Sequence, residues 1–220
     1  MNRLHFQEVW DGNTSPDEPK GLLSPRKRPR QGRSIALVLA LKAACRQILL
    51  KEGAAQLTSA RLAEVSGVST GSIYEYFPKL ESLVAEVLRE TIRQATGEAG
   101  SVLALPEDTP LLEVLGLMVR RTFDMRACLI GLHRDVYMRH MQYFEAIDVD
   151  TMQQLLERYS DRITLDDKRL AALVVANALG QFSQTLLHEN PLYMRSPQVE
   201  RMMVRMLHSA LTDPEHASAN

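Results

Sequence analysis

The chain has 220 residues, of which 45% are hydrophobic and 24% charged, values that are ordinary for a globular protein with one large domain or two small ones. Its two cysteines, Cys45 and Cys128, match no CxxC spacing, so the sequence indicates neither a disulfide framework nor a structural zinc site. The longest apolar-rich stretches, around Ile35 to Leu41 and Leu170 to Leu179, are interrupted or flanked by charge, which argues against a membrane span of roughly 18 residues. The first 25 residues lack the apolar region of a secretory signal, so we expect a cytosolic protein.

The net charge of −1 hides an uneven distribution along the chain. Residues 26–83 carry ten basic and four acidic side chains, whereas residues 84–220 carry fourteen basic and nineteen acidic ones. A basic block followed by an acidic remainder is typical of a polyanion-binding module joined to a different kind of domain. The charge pattern is the first indication of function.

Residues 1–32 contain four prolines and end in a basic run, which predicts a flexible tail with a cationic arm. Such an arm can lie in a minor groove or along phosphates. The alternative is a solvated tail that only raises the local charge. The predicted DNA-binding residues of the arm are Arg26, Lys27, Arg28 and Arg30.

Long proline-free intervals and nearly absent strand patterns predict an all-α fold. Ser34 can cap a first helix that ends at Gly53. Two short helices fit residues 58–65 and 69–76, and a fourth fits the chain from Pro78 to about Gly97.

Residues 57–76 predict a helix-turn-helix. Thr58 and Ser69 stand where short helices need N-caps, and Gly67 can take a positive φ at the turn between them. The alternative is an ordinary corner between two helices of a core.

The second of these helices would present its first turn to a major groove. Its small polar residues and Gly71 allow close approach to a duplex, while Tyr74 can reach a phosphate. Tyr76 could equally belong to the core, and Arg61 could contact the DNA backbone or a base edge. The predicted contacts in this domain are Thr58, Arg61, Ser69, Thr70, Gly71, Ser72, Tyr74, Tyr76 and Lys79.

Residues 33 to about 95 resemble the DNA-binding domain of the TetR family of bacterial transcriptional regulators. The residues that carry the resemblance include Gly53, Thr58, Leu62-Ala63, Gly67-Val68-Ser69, Gly71-Ser72-Ile73-Tyr74 and Tyr76-Phe77. The chain departs from the family pattern at Leu80, where a lysine is usual, and Lys79 stands one place earlier. The resemblance implies a three-helix DNA-binding domain followed by a helical domain for ligand binding and dimerisation.

Helical spacing continues after Pro110, from Leu111 to Thr122, and further helices fit about 130–146, 148–163, 166–189 and 197–212. In the family the last two helices usually form a dimer interface, so the resemblance implies a homodimer that reads a palindromic operator. The predicted division is a tail at 1–32, the DNA-binding domain at 33–80, a connecting helix and linker at 81–105, the regulatory domain at 106–213 and a tail at 214–220.

Nine of the ten methionines lie at or after Met118. With aromatic residues they could line a cavity for an apolar or amphipathic effector, or could equally be ordinary core. Asn177 and Gln181 share one helix face that could contact a ligand, form a dimer seam or face solvent. The predicted ligand-binding residues are Met118, Phe123, Tyr137, Met141, Phe144, Met152, Tyr159, Asn177 and Gln181.

We therefore predict a homodimeric transcriptional regulator, a repressor released by a small-molecule effector. The alternatives are an activator of the same family and a DNA-binding architectural protein that responds to no ligand. No cofactor and no metal are expected, because His133 and His140 would need a third ligand that the sequence does not identify. Enzyme motifs such as GxSxG, HExxH and the P-loop are missing, so the sequence does not predict an enzyme.

Overall fold

The computed structural model describes residue 25 and residues 32–103, 105–139 and 149–212, without the side chains of 95–101. Eight α-helices and no strand are found in these segments, which confirms the all-α prediction. The helices are α1 (Gly32–Lys51), α2 (Ser59–Ser66), α3 (Thr70–Tyr76), α4 (Leu80–Leu103), α5 (Leu111–Arg139), α6 (Val149–Glu157), α7 (Lys168–Glu189) and α8 (Pro197–Thr212). Short 3-10 helices lie at Ala54–Gln56 and Pro191–Arg195.

Several predicted helix ends were wrong. The described part of α1 begins at Gly32, so Ser34 lies within its first turn and is not its cap. Helix α4 continues beyond Gly97 to Leu103, because one glycine inside a helix costs only about 1 kcal/mol. Helix α6 ends at Glu157, where the chain changes to i→i+3 hydrogen bonds such as Tyr159 N–H to Leu156 O at 3.0 Å.

The contacts divide the chain into two units, and their boundaries differ from the predicted ones, which stay predictions. Among the described residues, the first unit holds those up to Glu90 together with 129–139, and the second holds 91–128 and 149–212. Apolar side chains from α1 to α4 form the core of the first unit. Its fully buried members include Leu41, Ile48, Leu62, Ile73, Phe77, Leu83 and Leu88.

Two ion pairs tie α4 to its neighbours within the first unit. Lys42 of α1 is only 4% exposed, and its Nζ lies 2.9 Å from Glu90 Oε2. At the N-terminal end of α4, Arg139 Nη1 of α5 lies 2.9 Å from Glu81 Oε1. The buried pair needs both partners, because removing one leaves a buried charge uncompensated.

The second unit holds α6, α7 and α8 with parts of α4 and α5, and α6 packs against α7. Helix α7 begins after Asp167, whose side chain accepts a hydrogen bond from Leu170 N–H, and it buries one stripe that includes Ala171, Ala172, Val175 and Leu179. The expectation that charge interrupts this stretch was wrong, because residues 170–187 carry no charged side chain and α7 is long and apolar enough to cross a membrane. Its buried stripe is nevertheless packed inside the unit.

Helix α5 replaces the two separate helices expected near 111–122 and 130–146 and carries a kink instead. His133 has φ −158° and ψ 91°, which is not helical. Its Nδ1 accepts a hydrogen bond from Val136 N–H at 3.3 Å, so the imidazole caps the segment that follows the kink in the way an N-cap does. The predicted end of this region, 140–146, lies outside the described residues.

The His133 cap predicts a pH dependence of stability. Burial lowers the pKa of His133 below its ordinary value of 6.5 and outweighs the nearby charges of Asp135 and Glu81, which raise it. Between the folded pKa and 6.5 the unfolded chain therefore binds more protons, and the free energy of unfolding falls as the pH falls through this interval. His133→Asn retains a capping oxygen that does not titrate, so it should lose less stability than the parent between pH 7 and pH 5 in urea denaturation. Equal losses would contradict a lowered pKa of His133 in the folded chain.

Candidate nucleic-acid interface

Side-chain caps and one glycine define the turn between α2 and α3. Thr58 accepts a hydrogen bond from Arg61 N–H at 3.1 Å, and Ser69 accepts one from Ser72 N–H at 3.2 Å. Gly67 has φ 68° and ψ 13°, and its N–H donates to Ala63 O. The two predicted caps and the predicted glycine turn are thus confirmed, because they follow from local backbone requirements.

Apolar contacts hold the two short helices in place. Leu62 is the buried residue of α2 and Ile73 that of α3, and Phe77 is fully buried directly after α3. Helices of eight and seven residues are not stable alone. Their orientation therefore depends on these few side chains.

One side of α3 remains open. Ser69, Thr70, Gly71 and Tyr74 are exposed, as is Lys79 after the helix. Space for a side chain is open at Gly71, where a Cβ would have no neighbour within 4 Å among the described residues outside its own helix turn. Thr58 is exposed, and Ser72 and Tyr76 are half-buried, so the predicted contacts are accessible to differing degrees.

The Arg61 guanidinium is held by two carboxylates. Its Nε and Nη2 donate to the two oxygens of Glu52 at 2.9 and 2.8 Å, and its Nη1 lies 2.8 Å from Glu64 Oε2. The hydrogen bond from Arg61 lowers the pKa of Glu52, and the bonds to Glu52 and Glu64 raise the pKa of Arg61. The sequence singled out Arg61 but not its partners, since nothing in the spacing of Glu52 and Arg61 indicates contact across the intervening turn.

The ligand candidates that the structure describes are divided between the two units. Phe123, Met152 and Tyr159 are buried in the second unit, whereas Tyr137 is buried in the first. The Tyr159 hydroxyl donates to Thr109 O at 2.9 Å and is thus already used within the fold.

The remaining ligand candidates differ in exposure. Met118 is half-buried, while Asn177 and Gln181 lie on the exposed face of α7. The arm residues Arg26, Lys27, Arg28 and Arg30, and the ligand candidates Met141 and Phe144, lie outside the described residues.

A pocket of about 330 Å³ in the second unit has a polar lining that the sequence did not indicate. It is bounded by Glu107, Arg158, Tyr159, Asp161 and Arg162. Only Tyr159 among the predicted ligand residues contributes to it. In the part of the chain that the structure describes, no three His, Cys, Asp or Glu side chains are grouped as metal ligands.

A match to a known protein family lies within the first unit. Residues 40–87 match the family model of bacterial regulatory proteins of the tetR family. Over 76 residues the chain is 36% identical to the HTH-type transcriptional regulator LuxR of Vibrio harveyi, a match that covers 34% of this chain and 33% of LuxR. The matched segment thus spans about a third of that relative.

Two solved structures share the fold over most of the chain. One is a Mesorhizobium loti protein described as a TetR-family transcriptional regulator, with a TM-score of 0.59, 18% identity and coverage of 83% of this chain and 100% of that one. The other is RolR in complex with the ligand resorcinol, with a TM-score of 0.55, 19% identity and coverage of 87% and 97%. The likeness in fold therefore extends beyond the matched N-terminal residues.

The turn geometry predicts opposite effects of alanine at two glycines. Gly67→Ala places a side chain at positive φ and should lower the free energy of unfolding by about 1–2 kcal/mol. Gly71→Ala is the matched control: it lies inside α3 with open space around it and should leave stability unchanged or raise it by up to about 1 kcal/mol. Urea denaturation measures both values, and equal stability of the two variants would contradict the assignment of the turn.

Proposed function

We propose that this chain, whose residues 40–87 form a TetR-family DNA-binding domain, is a homodimeric transcriptional repressor released from its operator by a small molecule. The observation that carries the proposal is the exposed first turn of α3, which begins at its N-cap Ser69 directly after the turn at Gly67. A helix presented in this way can enter a major groove with its N-terminal residues against base edges. As a regulator of bacterial DNA, the protein would act in the cytoplasm without a cofactor and would catalyse no reaction.

The proposed DNA contacts combine base reading with phosphate binding. Ser69, Thr70, Gly71 and Ser72 would lie at the bases, where small side chains permit close approach. Tyr74 and Lys79 are exposed next to them and would contact phosphates, which orient a protein on the duplex without reading its sequence. Thr58, Tyr76 and the cationic arm at residues 26–30 complete the proposed surface.

Dimerisation is supported by exposed apolar side chains on the last two helices. Leu170, Leu173 and Val174 of α7 and Met202 and Met206 of α8 are between 39% and 55% exposed. Apolar area of this kind is typical of a surface that a partner covers. A dimer also supplies two recognition helices about one turn of DNA apart, as a palindromic operator requires.

The proposed effector is apolar or amphipathic and would bind in the second unit. The support is the concentration of methionines from Met118 onward and the fold shared with RolR, whose structure contains resorcinol. Phe123, Met152 and the half-buried Met118 are the proposed lining residues, and Tyr159 stays a candidate in the same unit. Tyr137 is buried in the first unit and is not part of this proposal. The exposure of Asn177 and Gln181 beside Val174 favours a place for them in the dimer seam.

Release would follow from a shift in populations. An effector that prefers a conformation with wrongly spaced recognition helices lowers DNA affinity by its differential binding, typically about 1–3 kcal/mol. An architectural DNA-binding protein would show no such response, and an activator would respond with the opposite effect on transcription. Titration of operator affinity with small molecules, followed by transcription in vitro, separates these alternatives.

DNA recognition predicts a specific loss when one hydroxyl is removed. After operator sequences are selected from random duplexes at stated salt, Tyr74→Phe should weaken binding about fivefold, because one net hydrogen bond contributes about 1 kcal/mol. Tyr193→Phe is the matched control, since Tyr193 is also an exposed tyrosine but lies outside α3. Fluorescence anisotropy measures both affinities. Selection of no duplex, or equal affinity of the two variants, would contradict the proposed contact.

If α7 and α8 form the dimer interface, a charged side chain introduced there should give a monomer. Val174→Glu should dissociate the dimer at micromolar concentration, because a carboxylate buried in an interface without a partner costs several kcal/mol. Leu112→Glu is the control, as Leu112 is equally exposed but lies on α5. Sedimentation velocity should give a monomer for the first variant and a dimer for the second. A dimeric Val174→Glu protein would place the interface elsewhere.

A further inference from the structure

We infer that Arg61 is a positioning residue, whose pairing with Glu52 sets the orientation of the helix-turn-helix relative to α1. This inference rests on the proposed function, since the orientation matters for operator binding. It assigns Arg61 a role within the first unit in place of the DNA contact that its residue type suggested.

The ion pair joins two elements that the chain separates by a turn. Glu52 directly follows α1, and Arg61 lies in the first half of α2. Both carboxylate oxygens of Glu52 accept hydrogen bonds from Arg61, at 2.9 and 2.8 Å. A bidentate pair of this kind has a defined relative geometry, because the planar guanidinium and the planar carboxylate must lie almost in one plane.

The connection between α1 and α2 provides little other restraint. Residues 53–58 include no buried side chain, although Gly53 has φ 87° and a 3-10 helix follows it. Within α2 only Leu62 is buried. A short helix that is anchored by one buried residue can rotate about that contact. Arg61 is adjacent to Leu62, so its bond to Glu52 opposes such rotation.

The charges around Arg61 do not favour a phosphate. Three of its donor groups, on Nε, Nη1 and Nη2, are engaged by Glu52 and Glu64. Arg61, Glu52 and Glu64 together carry a net charge of −1, which Lys51 beside Glu52 partly offsets. A DNA phosphate could use only the two N–H groups of Arg61 that these carboxylates leave and would face both carboxylates at short range.

A charge exchange between the two positions tests the inference. All variants carry Glu64→Gln, so that a carboxylate introduced at position 61 does not face the carboxylate of Glu64. The four variants compared in this background are Arg61→Ala, Glu52→Ala, the double alanine variant, and the exchange Glu52→Arg with Arg61→Glu. Operator affinity is measured at several salt concentrations for each, and Tm is measured without DNA. Lys79→Ala serves as a control for the loss of a proposed phosphate contact.

Positioning predicts that each single alanine variant weakens operator binding by about three- to tenfold, as expected for a partly exposed ion pair with good geometry. The double variant should be no weaker than either single one, since both changes remove the same interaction. The exchanged pair should recover affinity to within about threefold of the background protein. The slope of log affinity against log salt should stay unchanged in all four variants and fall by about one in Lys79→Ala.

A DNA contact by Arg61 predicts a different set of results. Arg61→Ala would then reduce the salt slope by about one, Glu52→Ala would leave affinity unchanged or increase it, and the exchanged pair would not recover binding. Any of these results in a protein with parent-like Tm overturns the inference.

If the variant with the exchanged pair does not fold, the operator affinity and salt slope of Arg61→Lys test the inference instead. It retains the charge but not the bidentate geometry, so weaker binding with an unchanged slope supports positioning, and parent-like binding opposes it. If the unmodified chain selects no duplex at all, the proposed function fails by itself. The inference is then judged by the Tm losses of the alanine variants, which must be non-additive if the pair exists.

Discussion

The structure of the first unit depends on the reversal of the chain at Gly67. This residue takes a positive φ, which lets the chain turn so that α3 packs against α2, with Leu62 and Ile73 both buried. Neither helix is long enough to be stable by itself, so the turn and these two buried side chains together determine where the first turn of α3 points. The exposed groups from Ser69 to Tyr74 acquire a functional arrangement only because this crossing is fixed.

Those features could be predicted from the sequence because each obeys a local rule. A hydroxyl residue before a short helix satisfies its free N–H groups, which identified Thr58 and Ser69, and a glycine after a helix permits the left-handed turn. The helical period located the later helices as well, although their ends were less accurate. The break in α5 could not be predicted, since it lies at His133, where an imidazole replaces the usual hydroxyl or carboxyl cap.

Contacts that depend on tertiary geometry were beyond sequence reasoning. The partner of Arg61 is nine residues away across a turn of unusual backbone conformation, so the residue type alone suggested DNA. Similarly, apolar periodicity identifies buried residues but does not separate a ligand pocket from a core. Phe123 and Met152 are buried as expected, yet burial alone is equally compatible with both roles. The sequence left the role of Asn177 open, and the exposure of Leu173 and Val174 near it on α7 is what favours the proposed dimer interface.

Entry of α3 into the major groove is the central claim, and methylation protection on a selected operator measures it most directly, because dimethyl sulfate modifies guanine N7 in that groove. With two copies of the full chain on one duplex, entry of both α3 helices should protect guanines in two patches about ten base pairs apart. Protection of a single patch, or footprints in the minor groove alone with every guanine N7 still reactive, would contradict it.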